Sequence, residues 1–105
     1  MASPSRKQKI LEMLAEDPTD PFLRYGLAME HAGTGEHAEA VRCLEELIRD
    51  KPDYVPAYVQ AGQLLVRLGR DDEARSVYRA GIDAARKAGE GHAAEEMASF
   101  LEELG

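Results

Sequence analysis

The chain has 105 residues, of which 44% are hydrophobic and only 6% are aromatic, with no tryptophan. This length fits one domain, and its core must be built mainly from aliphatic side chains. Twenty acidic against thirteen basic residues give a formal charge of -7, which argues against a nucleic-acid or anionic-membrane partner. No apolar run approaches the roughly 20 residues that a membrane-spanning helix needs.

The N-terminal residues and the cysteine content bear on the compartment. Arg6, Lys7 and Lys9 are basic, but no apolar stretch follows them, so we expect no secretory signal. Cys43 is the only cysteine, so it cannot form an internal disulfide and fits a reducing environment. We therefore expect a cytoplasmic protein.

Apolar residues recur at helical spacing along the whole chain, and the alternation typical of strands is absent. Asp and Ser before a helix, and Gly after it, mark the expected ends: Ser3, Asp20 and Asp53 as N-terminal caps, Gly33, Gly69 and Gly89 as stops. In chain order the predicted helices are Pro4–Glu16, Pro21–Ala32, His37–Asp50, Tyr54–Leu68, Asp71–Ala88 and Gly91–Leu104. The connections between these helices are only two to five residues long, so consecutive helices are expected to pack antiparallel. The fold class expected is all-α.

The helices belong to a repeat with a period of 34 residues. When the sequence is aligned with itself at an offset of 34 residues, Gly35 aligns with Gly69, Glu39 with Glu73 and Ala40 with Ala74. The same offset aligns Pro52 with Pro18, so the period extends to the N-terminal segment. This periodicity predicts stacked helix pairs of similar structure.

The residues at the matching positions resemble the tetratricopeptide repeat family, whose unit is a helix–turn–helix with small residues where its helices cross. The signature places hold Tyr58, Ala61, Gly62, Leu65, Gly69, Ala74 and Tyr78 in one unit, and Ala28, Gly35, Ala40, Leu44, Leu47 and Pro52 in the other. The resemblance implies a single domain, residues 1–105. It comprises an N-terminal helix (4–18), two repeats (21–52 and 54–88) and a capping helix (91–104).

Small residues at the crossings allow the helix axes to approach within roughly 8–10 Å. We expect Gly62 to face Ala74, and Ala28 to face Ala40. In the last helix, Met97 and Phe100 are expected to point inward.

Catalytic and metal chemistry have little support in the sequence. His31 and His37 lie on either side of the turn at 33–35, so they do not share a helix face as a zinc pair would. Cys43 has no second cysteine nearby and is interpreted as a small helical filler. The glycine-containing turns lack the Lys-Ser/Thr of a phosphate loop. We expect no enzyme activity, no catalytic residue, no metal and no cofactor.

A binding role is favoured instead, because the resemblance implies a concave face lined by the first helix of each repeat. The matching places in the first repeat hold Phe22, Tyr25, Met29, Ala32 and Gly33. Those in the second hold Pro56, Val59, Gln63, Val66 and Arg67. The Lys and Asn that related domains use to clamp an acidic C-terminus are missing, since Tyr25, Met29 and Gln63 stand there. We expect an apolar peptide or helix of a protein partner as ligand.

Two alternatives remain open at this stage. The end helices could fold over the concave face and bury it as core. The protein could also form a homodimer or larger homo-oligomer that buries the apolar face, since a short solenoid needs polar caps to avoid stacking end to end.

Overall fold

The computed structural model describes residues 5–105, and within that range it contains six α-helices and no strand. The helices are α1 (Arg6–Glu16), α2 (Pro21–Gly33), α3 (His37–Asp50), α4 (Val55–Arg67), α5 (Asp71–Lys87) and α6 (Gly91–Leu104). The predicted all-α class is confirmed, and the predicted ends are within two residues of the observed ones.

The N-terminal caps differ in part from the prediction. Ser5 caps α1 through a reciprocal pair of hydrogen bonds with Gln8 at 2.9 and 3.1 Å. The expected cap Ser3 and the expected first residue Pro4 lie outside the described residues. Asp20 caps α2 as predicted, because its carboxylate accepts a hydrogen bond from Leu23 N at 3.1 Å. Asp53 was a wrong prediction: the residue before α4 is Tyr54, and its side chain makes no capping bond.

The helix ends follow the 34-residue period more closely than expected. Gly35 and Gly69 both adopt the left-handed conformation, with φ of 82° and 74°, which other residues adopt only with strain. Gly33, predicted as a stop, is instead the last residue of α2. The equivalent glycines of the two repeats therefore make the same turn.

Ion pairs between the start of one helix and the end of the next establish antiparallel hairpins. Arg6 of α1 lies 3.8 Å from Glu30 near the end of α2. Arg24 near the start of α2 lies 3.0 Å from Asp50 at the end of α3. Each helix packs on its neighbour along the chain, giving an elongated array of 50 × 28 × 20 Å.

Two glycines lie at tight helix crossings, where they face large side chains of other helices. A Cβ added at Gly62 would lie 2.2 Å from Cε1 of Tyr78, so Gly62 faces this aromatic ring. The expected contact of Gly62 with Ala74 stays a prediction. Gly81 is equally close, since an added Cβ would lie 2.5 Å from Sδ of Met97 and 2.6 Å from Cβ of Tyr58. The most enclosed large side chains are Tyr78, Leu44, Leu47, Leu65, Met97 and Val41.

Candidate functional site

A groove between α4 and α6 opens on the side carried by the first helices of the repeats. We call it the α4–α6 groove, and its volume is about 500 Å³. Its lining residues are Gln63, Val66 and Arg67 of α4, Tyr78 of α5, and Phe100, Glu103 and Leu104 of α6. The groove is open to solvent, since Val66 is 38% exposed.

Helical spacing explains why these side chains converge. Gln63, Val66 and Arg67 stand at i, i+3 and i+4, so they share one face of α4. Phe100, Glu103 and Leu104 have the same spacing in α6, and Tyr78 lies between the two helices as the floor. Its ring packs against that of Phe100, with centroids 5.7 Å apart.

Arg75 of α5 fixes the far end of α6 beside this groove. Its guanidinium donates to the carbonyl oxygens of Leu104 at 3.0 Å and Gly105 at 3.3 Å. It also donates to Asp72 at 2.6 Å, which holds the side chain in place. A cation at the C-terminal carbonyls of a helix is favourable, so this contact supports the position of Leu104 in the groove wall.

The groove combines an apolar lining with one cation and one anion. Val66, Phe100 and Leu104 provide the apolar surface, while Arg67 and Glu103 provide opposite charges. No cluster of nucleophile, base and oxyanion donors is present among these residues. The arrangement is suited to holding an apolar side chain and orienting a polar backbone around it.

The seven predicted site residues divide into two sets. Gln63, Val66 and Arg67 line the α4–α6 groove. Gln63 and Arg67 also line a smaller cavity of about 240 Å³, the α2–α4 groove, to which Ala32, Gly33, His37, Gln60 and Leu64 contribute.

The other four residues line neither groove. Tyr25, Met29 and Val59 are half-buried against the core, and the ring of Tyr25 packs against Tyr54 with centroids 5.8 Å apart. Phe22 is 72% exposed at the start of α2.

Sequence reasoning missed the contribution of α6 to this site. Phe100 packs against the core and Tyr78, in line with the expected inward orientation, but its place in the groove wall was not predicted. Glu103 was interpreted as part of a polar cap. The spacing of Phe100, Glu103 and Leu104 was the signal that could have identified them as one face. One alternative was that the end helices cover the concave face. At the α4–α6 groove, α6 forms one wall and leaves Val66 exposed.

A second, larger depression lies on the other face of α5. We call it the α3–α5 groove. It consists of two cavities of about 630 and 280 Å³ that share Tyr58 and Ala80. The Tyr58 hydroxyl donates to the carbonyl of Pro52 at 2.6 Å, so this side chain is hydrogen-bonded to the 51–54 turn. This groove was not predicted from the sequence.

His31 and Cys43 lie in a cluster of side chains that was not predicted from the sequence. His31 was compared with His37, but the structure brings it to Glu39 and Cys43, with the potential ligand atoms of all three within 4.8 Å of one another. Burial raises the pKa of the Cys43 thiol, and the charge of Glu39 acts in the same direction. A raised pKa disfavours the thiolate, so Cys43 is poorly suited to act as a nucleophile.

All four tyrosines have a raised pKa, which predicts a loss of stability in alkali. Burial is the largest cause for Tyr25, Tyr54, Tyr58 and Tyr78, and for Tyr78 it acts with Glu103 and Glu96 to raise the pKa to about 12. The folded chain therefore keeps phenolic protons that the unfolded chain loses near pH 10. We expect the free energy of unfolding to fall as pH rises from about 10 to about 12.

This fall in stability is measured by urea unfolding at a series of pH values. Phenolate absorbance of the folded and the unfolded chain gives the tyrosine titration curves of the two states. Identical tyrosine titration curves for the two states would contradict it.

Comparisons with known proteins agree with this architecture. The family model described as tetratricopeptide repeat matches residues 31–97. A tetratricopeptide repeat domain protein from Salinibacter ruber is 38% identical, and its solution structure superposes with a TM-score of 0.79, covering 83% of this chain and 88% of that one. The crystal structure of the same domain protein gives 0.76, with 81% and 94% covered.

A further similar structure shows the fold alone. A protein from Bordetella parapertussis, solved in solution, is 24% identical with a TM-score of 0.82, and the match covers 97% of this chain and 89% of that one. Among curated proteins, none matches the chain. Within residues 5–105, no helix has the length and apolar character to cross a membrane.

The repeat period, the paired helices, the glycine at each equivalent turn and the matched family model lead to one assignment. Because that model spans residues 31–97 and the Salinibacter ruber domain is 38% identical over most of both chains, this chain belongs to the tetratricopeptide repeat family.

Proposed function

We propose that this protein is a non-enzymatic interaction module that binds an apolar peptide segment of a partner protein in the α4–α6 groove. Members of its family generally serve as interaction scaffolds. The groove, the segment bound and the absence of catalysis are the specific parts of this proposal. We also propose a cytoplasmic location, in keeping with the single free cysteine.

The observation that carries the proposal is the open apolar lining of the groove. Val66 is exposed although it is a large aliphatic residue, and it lies opposite Phe100 and Leu104 across a cavity of about 500 Å³. Covering such a surface with an apolar side chain gains about 25 cal/mol for each Å² removed from water. One or two aliphatic or aromatic side chains of a peptide fit this volume.

The two charges at the groove define how a peptide would be oriented. Arg67 attracts an acidic side chain or a terminal carboxylate, and Glu103 attracts a basic group on the other side. Arg67 and Gln63 also reach the α2–α4 groove. A peptide longer than the anchor therefore extends along α4 toward α2, where Ala32 and Gly33 line the α2–α4 groove.

Selection of binding peptides from a random phage-displayed library tests the proposal. We expect the selected peptides to share an apolar anchor, and the Val66→Asp variant to bind them at least tenfold more weakly, because a carboxylate replaces apolar surface at the anchor. Affinity is measured by isothermal titration calorimetry on the folded variants.

The matched control places the same charge in the other large depression. Ala80→Asp changes an exposed residue of the α3–α5 groove, and it should leave the affinity unchanged. If Ala80→Asp abolished binding while Val66→Asp did not, the site would lie on the α3–α5 side. The Tyr25→Ala/Met29→Ala double variant then reports whether a bound peptide reaches α2.

Self-association is the second candidate, and exposed apolar side chains near the first helix favour it. Leu11 and Met13 of α1 are 46% and 52% exposed, and Phe22 just beyond the following turn is 72% exposed. None of the described residues of α1 is buried, so this end of the array offers apolar surface to a second copy. Sedimentation at two protein concentrations separates the candidates. A stable dimer that Phe22→Ser dissociates would favour self-association.

A further inference from the structure

The α2–α3 hairpin brings together three side chains that are all able to bind a transition metal. His31 lies in the last turn of α2, while Glu39 and Cys43 lie one turn apart on α3. The potential ligand atoms of the three residues are within 4.8 Å of one another. All three residues are half-buried, so the cluster is shielded from solvent but accessible to an ion.

The connecting turn holds the imidazole of His31 in a defined orientation. Nδ1 of His31 lies 3.1 Å from Oε1 of Glu36. That same oxygen accepts a hydrogen bond from the Thr34 hydroxyl at 3.0 Å, which fixes the carboxylate. The side chain of His31 is only 12% exposed. Because Nδ1 interacts with Glu36, Nε2 is the ring nitrogen that remains for a metal. Histidine ligands in metal sites commonly donate their other ring N–H to a carboxylate in this way.

The donor set identifies the class of ion. The Cys43 thiol is protonated in the metal-free chain and would lose its proton to solvent as an ion binds. A thiolate, an imidazole and a carboxylate together are then the ligands that Zn²⁺ takes in proteins, whereas Mg²⁺ and Ca²⁺ take oxygen ligands almost alone. We propose that His31, Glu39 and Cys43 form a Zn²⁺ site, with Glu36 as the positioning residue for His31. This site is separate from the α4–α6 groove and does not depend on the proposed function.

Binding requires only small movements of these side chains. Ligands of a tetrahedral zinc ion lie roughly 3.3–3.6 Å apart, given metal–ligand distances of about 2.0–2.3 Å, so the cluster has to contract by about an ångström. Glu39 is held by Arg42, which also donates to Glu46 at 3.0 Å. Arg42 therefore keeps a carboxylate partner when Glu39 turns toward the ion.

The charges around the cluster permit a cation. Glu36 and Glu39 are acidic, and the two arginines that influence Cys43 have carboxylate partners of their own. Arg42 is paired with Glu46 at 3.0 Å, and Arg24 is paired with Asp50 at 3.0 Å.

Titration of the full chain, without a polyhistidine tag and under reducing conditions, with Co²⁺ tests the proposal. We expect one equivalent of Co²⁺ to produce a thiolate-to-cobalt charge-transfer absorption that Zn²⁺ displaces. Cys43→Ser should abolish this absorption, and His31→Gln should weaken Co²⁺ binding by more than tenfold. The control His92→Gln changes an exposed histidine of α6 and should leave binding unchanged.

A matched pair on α3 tests the carboxylate. Glu39→Gln should weaken binding, whereas Glu45→Gln, which changes an exposed carboxylate of α3 outside the cluster, should not. Glu36→Gln should weaken binding by about 10–100-fold, as expected for a residue that orients a ligand.

The thermal midpoint gives a readout that is independent of the cobalt spectrum and monitors folding of each variant. Zn²⁺ should raise the midpoint of the wild-type chain and leave that of Cys43→Ser unchanged. A wild-type chain without the charge-transfer absorption, or a Cys43→Ser variant that binds as the wild type does, would overturn the proposal.

Discussion

Gly62→Ala is expected to lower the free energy of unfolding by about 1–3 kcal/mol, the usual penalty for overpacking. The added Cβ would lie 2.2, 2.4 and 2.8 Å from three ring carbons of Tyr78, closer than van der Waals contact allows. Because that ring is enclosed in the core, it cannot swing away into solvent. The clash outweighs the gain of roughly 1 kcal/mol that alanine normally brings inside a helix. Urea unfolding followed by circular dichroism measures the change.

Gly33→Ala is the matched control for this substitution. Gly33 is helical, its φ is not positive, and nothing lies within 4 Å of an added Cβ. We expect this variant to be unchanged or stabilised by about 0.4–1 kcal/mol. Equal stability of Gly62→Ala and Gly33→Ala would show that the α4–α5 crossing is looser than described.

A double substitution identifies the clash itself. In a chain that already carries Tyr78→Ala, the ring that opposes the new Cβ is gone. Gly62→Ala should then be far less destabilising than in the wild-type chain, because neighbouring substitutions are not additive. Additive effects would mean that Gly62 is required for another reason.

Tyr78→Ala is expected to be the most damaging single truncation, with a loss of about 3–5 kcal/mol. Tyr78 is 1% exposed. Its ring packs against Gly62 of α4 and Phe100 of α6, so one side chain joins three helices. A loss of this size is comparable to the total stability of about 5–15 kcal/mol typical of a domain, and the groove floor is lost with it. Thermal and urea unfolding both report the change.

Phe22→Ala provides the control for removing an aromatic ring. Phe22 is 72% exposed, and truncation of such a residue usually changes stability by no more than about 0.5 kcal/mol. If Phe22→Ala destabilised the monomer as much as Tyr78→Ala, aromatic burial would not explain the difference between the two sites.

The helices and their turns were predictable because they depend on local patterns. The apolar spacing within about four residues and the glycines at helix ends are features of consecutive residues. Gly35 and Gly69 make equivalent turns because the period places the same residue type at the same point. Two single positions were wrong. Gly33 stays helical because Gly35, two residues later, makes the turn, and Asp53 lies one residue before the N-cap position, which Tyr54 occupies.

The candidate groove was only half predictable. Gln63, Val66 and Arg67 were found through their places in the repeat, and all three line the groove. Phe100, Glu103 and Leu104 were missed because their role depends on how α6 lies across α5. Tyr25 and Met29 occupy matching places in the first repeat but pack against the core, since neighbouring helices differ there.

The amino-acid sequence alone determined the all-α class, the repeat and the positions of six helices, because hydrophobic periodicity and glycine conformation act over a few residues. The tertiary structure alone decided that Gly62 and Gly81 receive the side chains of other helices. It also decided that α6 completes the groove and that His31 meets Cys43 twelve positions further along. These contacts depend on the crossing angles and separations of packed helices, which the packing of the whole core sets.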